Sequence, residues 1–153
     1  MGGIAVLRVM LVTPGHEGFA ALKAQSLGEH FNMLRRLEAN WLSGDNRFNA
    51  PGEKLLGIFA DEELVGIGGL NRDPFSEDKR AGRIRHLYLS PAWRGKGIGQ
   101  QLLQALLSGG HGWFDFYNTH APEHAFRFYE TAGFQAVSGE ERVTHRLFIR
   151  RQI

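Results

Sequence analysis

Apolar and polar positions along this chain change period several times, and the order of those changes predicts an architecture. Residues 4–12 are apolar first at alternating and then at continuous positions and stop at Thr13-Pro14-Gly15, which predicts a strand closed by a turn. Phe19, Leu22, Phe31, Leu34, Leu37 and Leu42 then recur at helical spacing, with Gly28 dividing two helices ahead of the break at Ser43-Gly44-Asp45-Asn46. Two apolar runs, 54–60 and 64–70, flank Asp61-Glu62-Glu63 and predict a hairpin. A further strand is predicted over 83–89, and Ile98, Leu102, Leu103, Leu106 and Leu107 form the single apolar stripe of a helix. An aromatic-rich strand at 113–117, a helix at 121–132 closed by Gly133, and two last strands at 134–137 and 143–150 complete the pattern.

The resulting order is strand, helices, three strands, helix, strand, helix, strands. It describes an α/β plan with a mixed central sheet of about six to seven strands flanked by about four helices. The central hairpins make antiparallel neighbours, whereas the strand-helix-strand unit spanning residues 83–117 predicts a parallel crossover. No internal repeat or low-complexity tract interrupts it, so all 153 residues are expected to form one domain with room for a real core.

Composition removes several chemistries. The chain has no cysteine, which excludes disulfides, thiolate metal sites and an acyl-cysteine intermediate. Formal charge is only +2, and the arginines are spread from Arg8 to Arg151 without forming one block, so a nucleic-acid partner is not expected. The alternation over 143–150 suits a sheet strand better than a basic binding arm. Apolar runs fall far short of a membrane span, and no signal-type segment opens the chain. A cytoplasmic protein with no membrane partner is the expectation.

Chemistry concentrates after the strand at 83–89. There the chain reads Ser90-Pro91-Ala92-Trp93-Arg94-Gly95-Lys96-Gly97-Ile98-Gly99. Alternate glycines uncover backbone N–H groups, Arg94 and Lys96 add positive charge, and a helix N-terminus follows, a combination that binds phosphate. Two familiar phosphate loops are excluded by spacing. A P-loop would need glycine where Ser90 stands and a hydroxyl where Gly97 stands, and a dinucleotide fingerprint would need glycine at Gln100.

What remains is Arg-x-x-Gly-x-Gly, filled by Arg94, Gly97 and Gly99 behind the triplet Leu87-Tyr88-Leu89. This resembles the acetyl-CoA-binding motif of the GCN5-related N-acetyltransferases (GNAT), whose element order also resembles the one predicted along nearly the whole chain. Residues 125–134, a helix carrying Tyr129 and closed by Gly133-Phe134, resemble the family's C-terminal signature. The resemblance implies a single GNAT-like domain that moves an acetyl group from acetyl-CoA, as co-substrate and without a metal, to an amine on a small molecule or protein. It implies that main-chain groups of Leu87, Tyr88 and Leu89 pair with the pantetheine arm and that the backbone of Arg94, Gly95, Lys96, Gly97, Ile98 and Gly99 holds the pyrophosphate. Tyr129 would be the general acid that protonates the departing thiolate.

Three positions depart from the family pattern. The asparagine frequent seven residues before the tyrosine is replaced by Pro122, so its CoA contact is lost or moves to Asn118, which serves equally as a turn residue. Positions where some members carry a base hold Arg83 and Arg85, which cannot take a proton. His86, expected on the opposite face, Asp73, His120 and Glu123 are alternative bases, as is a water chain. Arg83 and Arg85, if aimed at one cleft, would favour an acceptor bearing a carboxylate or phosphate, or they are a solvated face paired with acids. A catalytically silent acyl-CoA sensor of the same fold is the competing reading, and a homodimer is compatible with either.

Overall fold

The computed structural model describes residues 4–149. One seven-stranded sheet runs through it in the order β1-β2-β3-β4-β5-β7-β6. Its strands are β1 (Leu7–Leu11), β2 (Lys54–Ala60), β3 (Glu63–Arg72), β4 (Ala81–Leu89), β5 (Phe116–Thr119), β6 (Gln135–Ala136) and β7 (His145–Phe148). Four α-helices, α1 (Phe19–Gly28), α2 (Met33–Ser43), α3 (Ile98–Leu107) and α4 (Phe126–Thr131), complete it. All neighbouring strands are antiparallel except β4 and β5, which run parallel on either side of α3, as the crossover pattern predicts.

The continuous apolar runs of β2 and β3 follow from burial on both faces. On one face Phe19, Leu22, Leu34 and Leu37 from α1 and α2 pack with Phe59, Ile67 and Tyr88. On the other, Leu102, Leu103 and Leu106 of α3 have no solvent exposure and pack with Ile58, Val65, Leu70, Ile84, Phe114 and Tyr129. Each such leucine contributes about 1.5–3 kcal/mol by leaving water. The carbonyl end of α3 is satisfied by Lys54, whose Nζ donates to Ala105 O (2.8 Å) and Ser108 O (3.0 Å). A cation there complements the helix dipole.

Two elements differ from the pattern. The aromatic strand starts later than predicted, at Phe116, because Trp113 and Phe114 donate their N–H groups to Gly110 O and close a turn there. The helix predicted over 121–132 opens as a 3₁₀ turn at Glu123–Ala125 and becomes α-helical only at Phe126. Pro122 in front of it is extended (ψ 156°), and Ala121 donates its N–H to Thr144 Oγ1 across the sheet, so neither is in a helix. The predicted end of the last strand at Arg150, and Arg151 of the basic tail, lie outside the described residues.

A candidate acyl-transfer cleft between two parting strands

β4 and β5 pair only from Ala81–Phe116 to Ile84–Thr119. The Thr119 hydroxyl donates to the Ile84 carbonyl (3.1 Å) at the last rung, and past it the strands part. A cleft of about 500 Å³ occupies the gap, lined by residues 84–89 of β4, by Thr119 and His120, by Phe128 and Tyr129, and by Arg94, Gly95, Gly97 and Gly99. The edge of β4 facing it holds backbone donors and acceptors that no strand covers, which is the arrangement an extended ligand arm can use.

A β-bulge shapes this edge. The β3–β4 register slips between Ile67 and Gly69, and His86 takes a left-handed backbone conformation (φ 59°). One extra residue reverses the alternation beyond it. Leu87 packs toward α3, near Leu106, while Tyr88 packs with the α1 and α2 side. His86 was expected on the face opposite Arg85; the bulge instead turns its ring to α2, where it lies edge-on to Phe48 (6.1 Å) and bonds the Met33 backbone. Burial, and then the charges of Arg85, Arg36 and Arg83, push its pKa down to about 3, so it is a neutral imidazole and a poor base.

The glycine turn forms an open cradle. Gly95 (φ 76°) and Gly97 (φ 78°) are left-handed, both line the cleft, and a Cβ on either would meet only open space. Gly97 caps α3 without a side-chain bond, so the first N–H groups of that helix have no intrahelical partner, an end that favours anions. Gly99 has a different reason: a Cβ there would stand 3.0 Å from the Phe128 ring, so its absence lets α3 and α4 approach. Ile98 contributes only backbone, its side chain being buried in the core. Lys96 lies over the Trp93 ring (5.4 Å) and is not among the cleft-lining residues.

Arg94 does not offer a free guanidinium. It forms a two-pronged pair with Glu29 (2.8 and 2.7 Å), donates Nε to Leu89 O (3.0 Å), and Glu29 also accepts the Tyr88 hydroxyl (2.6 Å). Arg94 holds the Glu29 carboxyl below its usual range, and burial with the Glu29 contact pushes the Tyr88 phenol up. The motif arginine thus binds the turn to the end of α1. Glu29 carried no sequence signal, because it lies just past a helix end with no motif around it.

Tyr129 lines the cleft and is 5 % exposed. Its hydroxyl hydrogen-bonds Thr119, and burial pushes its pKa up to about 12, so it is fully protonated at neutral pH. Thr119 was not singled out from sequence, since a threonine at a strand end has no special pattern. Of the alternative bases, His120 lines the cleft and is exposed. Asp73 is buried and occupied by Arg83 (3.5 Å) and Asn118 (2.9 Å), and Glu123 is not among the lining residues.

Asn118 is also not part of the cleft lining. It is buried, donates to Asp73 and accepts from Arg146 Nε (2.6 Å), because β5 turns it to the same face as Arg83. Arg83 and Arg85 separate in role: Arg83 is buried against Asp73 and donates to Arg142 O (2.7 Å), whereas Arg85 lines the cleft.

The parting strand pair, the glycine cradle and the buried tyrosine all lie within a stretch that a family model matches. Residues 23–150 fit the Acetyltransferase (GNAT) domain. The chain belongs to the GNAT family. A candidate acetyltransferase from Exiguobacterium sp. 255-15 is 30% identical, with TM-score 0.83 over 94% of this chain and 93% of that one. A candidate acyl-CoA N-acyltransferase from Klebsiella pneumoniae is 21% identical, with TM-score 0.63 over 92% and 95% of the two chains. PH1933 from Pyrococcus horikoshii OT3 is 19% identical, with TM-score 0.68 over 97% and 100%. At those two lower identities the likeness concerns the GNAT fold alone. No curated protein matches the sequence significantly. Among the described residues no helix is long and apolar enough to cross a membrane.

Proposed function

We propose that this GNAT protein is an N-acetyltransferase that takes an acetyl group from acetyl-CoA and passes it directly to an amine. The observation that carries this reading is Tyr129: a buried, protonated phenol on the wall of a cleft whose other wall is unpaired strand edge and glycine cradle. The residues fit the co-substrate, since the backbone of residues 94–99 offers N–H groups to phosphate and the β4 edge at 87–89 offers donors and acceptors to an amide-bearing arm. Acetyl-CoA, when bound, supplies an activated acyl group and a thiol leaving group.

The protein's own part is positional and electrostatic. Backbone N–H groups of the β4 edge stabilise negative charge on the acyl oxygen as the amine adds. The new C–N bond replaces the C–S bond, the sulfur takes a proton from Tyr129, and the amine gives one up. His120 or water accepts that last proton, because the lowered pKa of His86 makes it too weak a base and Arg85 has no basic site.

Free-thiol release with acetyl-CoA and a panel of amines tests the reading. Turnover of at least one amine is expected, and Tyr129→Phe should lower kcat by about 10²–10⁴ while leaving CoA affinity by calorimetry unchanged. Full kcat in Tyr129→Phe would remove the tyrosine from the chemistry. Tight CoA binding with no turnover of any amine would favour the sensor.

A further inference from the structure

No acidic side chain is among the residues that line the cleft. Its ionisable lining residues are Arg85, Arg94, His86, His120, His124 and the phenols of Tyr88 and Tyr129. Arg94 already has Glu29, and Arg83, on the same sheet face as Arg85, already has Asp73. Arg85 is different. Among the described residues, no hydrogen bond or ion pair is formed by its guanidinium; what surrounds it is the Phe75 ring at 5.9 Å and the charges of Arg83 and Arg36. The carboxylate that it senses, Asp73, is shared between Arg83 and Asn118.

A half-buried guanidinium with no counter-ion is costly. Here burial first, and then Arg83, weaken its hold on its proton. A further cation gathers at the same place: Arg142, from the segment before β7, stacks on the same Phe75 ring at 4.4 Å. An unmatched positive charge on the wall of a cleft marks where a ligand supplies the missing anion.

We infer that the acceptor is an anionic amine, bearing a carboxylate or phosphate close to its nitrogen, and that Arg85 receives that oxyanion on the α2 side of the cleft. The inference rests on the acyl-transfer reading of the same cleft. Arg85 directly follows Ile84, whose carbonyl takes the Thr119 hydroxyl that touches Tyr129, so its backbone lies about 3.8 Å along the chain from that rung. Arg85 and Tyr129 line one cleft, so an acceptor anchored by its anion at Arg85 shares that cleft with the transfer point. A cationic acceptor would meet the unmatched charge of Arg85 on this wall.

The test uses the whole chain with saturating acetyl-CoA. Rates are compared for the twenty common L-α-amino acids against their carboxamides, for O-phosphoethanolamine against ethanolamine, and for spermidine. The anionic member of at least one pair is expected to exceed its neutral partner in kcat/KM by about 10- to 100-fold, the effect of a charge-assisted contact. The two kinds of pair distinguish carboxylate from phosphate. Arg85→Gln should bring that ratio close to one through KM, with partial recovery in Arg85→Lys; a merely structural role would lower both members alike. Equal use of neutral and anionic amines, or preference for spermidine, overturns the inference. Calorimetry of the same anions on CoA-loaded protein separates the two readings. Arg85-dependent binding with no turnover would sink acyl transfer and keep the anion site, whereas turnover of neutral amines with no anion binding would do the reverse.

Discussion

A single backbone angle decides which side chains reach the cleft. His86 at φ 59° shifts the facing of everything after it, so that Tyr88, and not Leu87, shares a side with Arg85. The histidine has a measurable cost at low pH. Its folded pKa, about 3, lies below its ordinary value near 6.5, so the unfolded chain binds the extra proton in between. Stability from this group is therefore complete above about pH 6.5 and is lost as pH falls toward 3, at up to about 1.4 kcal/mol per pH unit. Urea unfolding of the protein and of His86→Phe from pH 7 to pH 4 checks this. The variant should show the shallower loss, and identical slopes would mean that the ring is not held neutral.

At the scale of elements, the contact that matters is between the end of α1 and the cradle. Glu29 draws Arg94 and Tyr88 together, which couples the first helix to the turn before α3. The pair is partly exposed, so its share of stability is modest, about 1 kcal/mol. Its larger effect is expected on the shape of the turn. Glu29→Ala should lower the unfolding midpoint by about 2–4 °C and weaken CoA binding, since the loop it anchors carries the cradle glycines. Calorimetric titration with CoA reads the second effect, and unaltered affinity would show that the turn holds its form without the anchor. This clamp was not legible in the sequence: the motif suggested that Arg94 adds charge for phosphate, and only the approach of a residue 65 positions away shows that charge already neutralised.

Across the whole molecule, the cleft exists because the sheet separates where one parallel pair ends. A ligand that bridges β4, the cradle and α4 binds only the folded chain, so acetyl-CoA at about 100 times its Kd should add about 2.7 kcal/mol. For a chain of this size that is about 5–10 °C in the thermal midpoint. Differential scanning fluorimetry with acetyl-CoA, with free adenine as a control, measures it. The absence of any shift would place the co-substrate outside this cleft.

Much of this plan was readable from the chain. Period changes located the hairpin, the first pair of helices, α3 and the parallel crossover, because local hydrophobic spacing reflects which face is buried. The glycine turn was readable too, since left-handed backbone at Gly95 and Gly97 needs residues without a Cβ. What sequence spacing could not convey was contact across the sheet: the bulge that redirects His86, the Glu29 anchor, the Thr119 bridge to Tyr129, and the burial of Arg83 and Asn118 around Asp73. Strand alternation assigned Arg83 and Arg85 the same aim. Tertiary packing separated them: Arg83 is buried against Asp73, which Asn118 also binds, whereas Arg85 lines the cleft with no hydrogen bond or ion pair among the described residues.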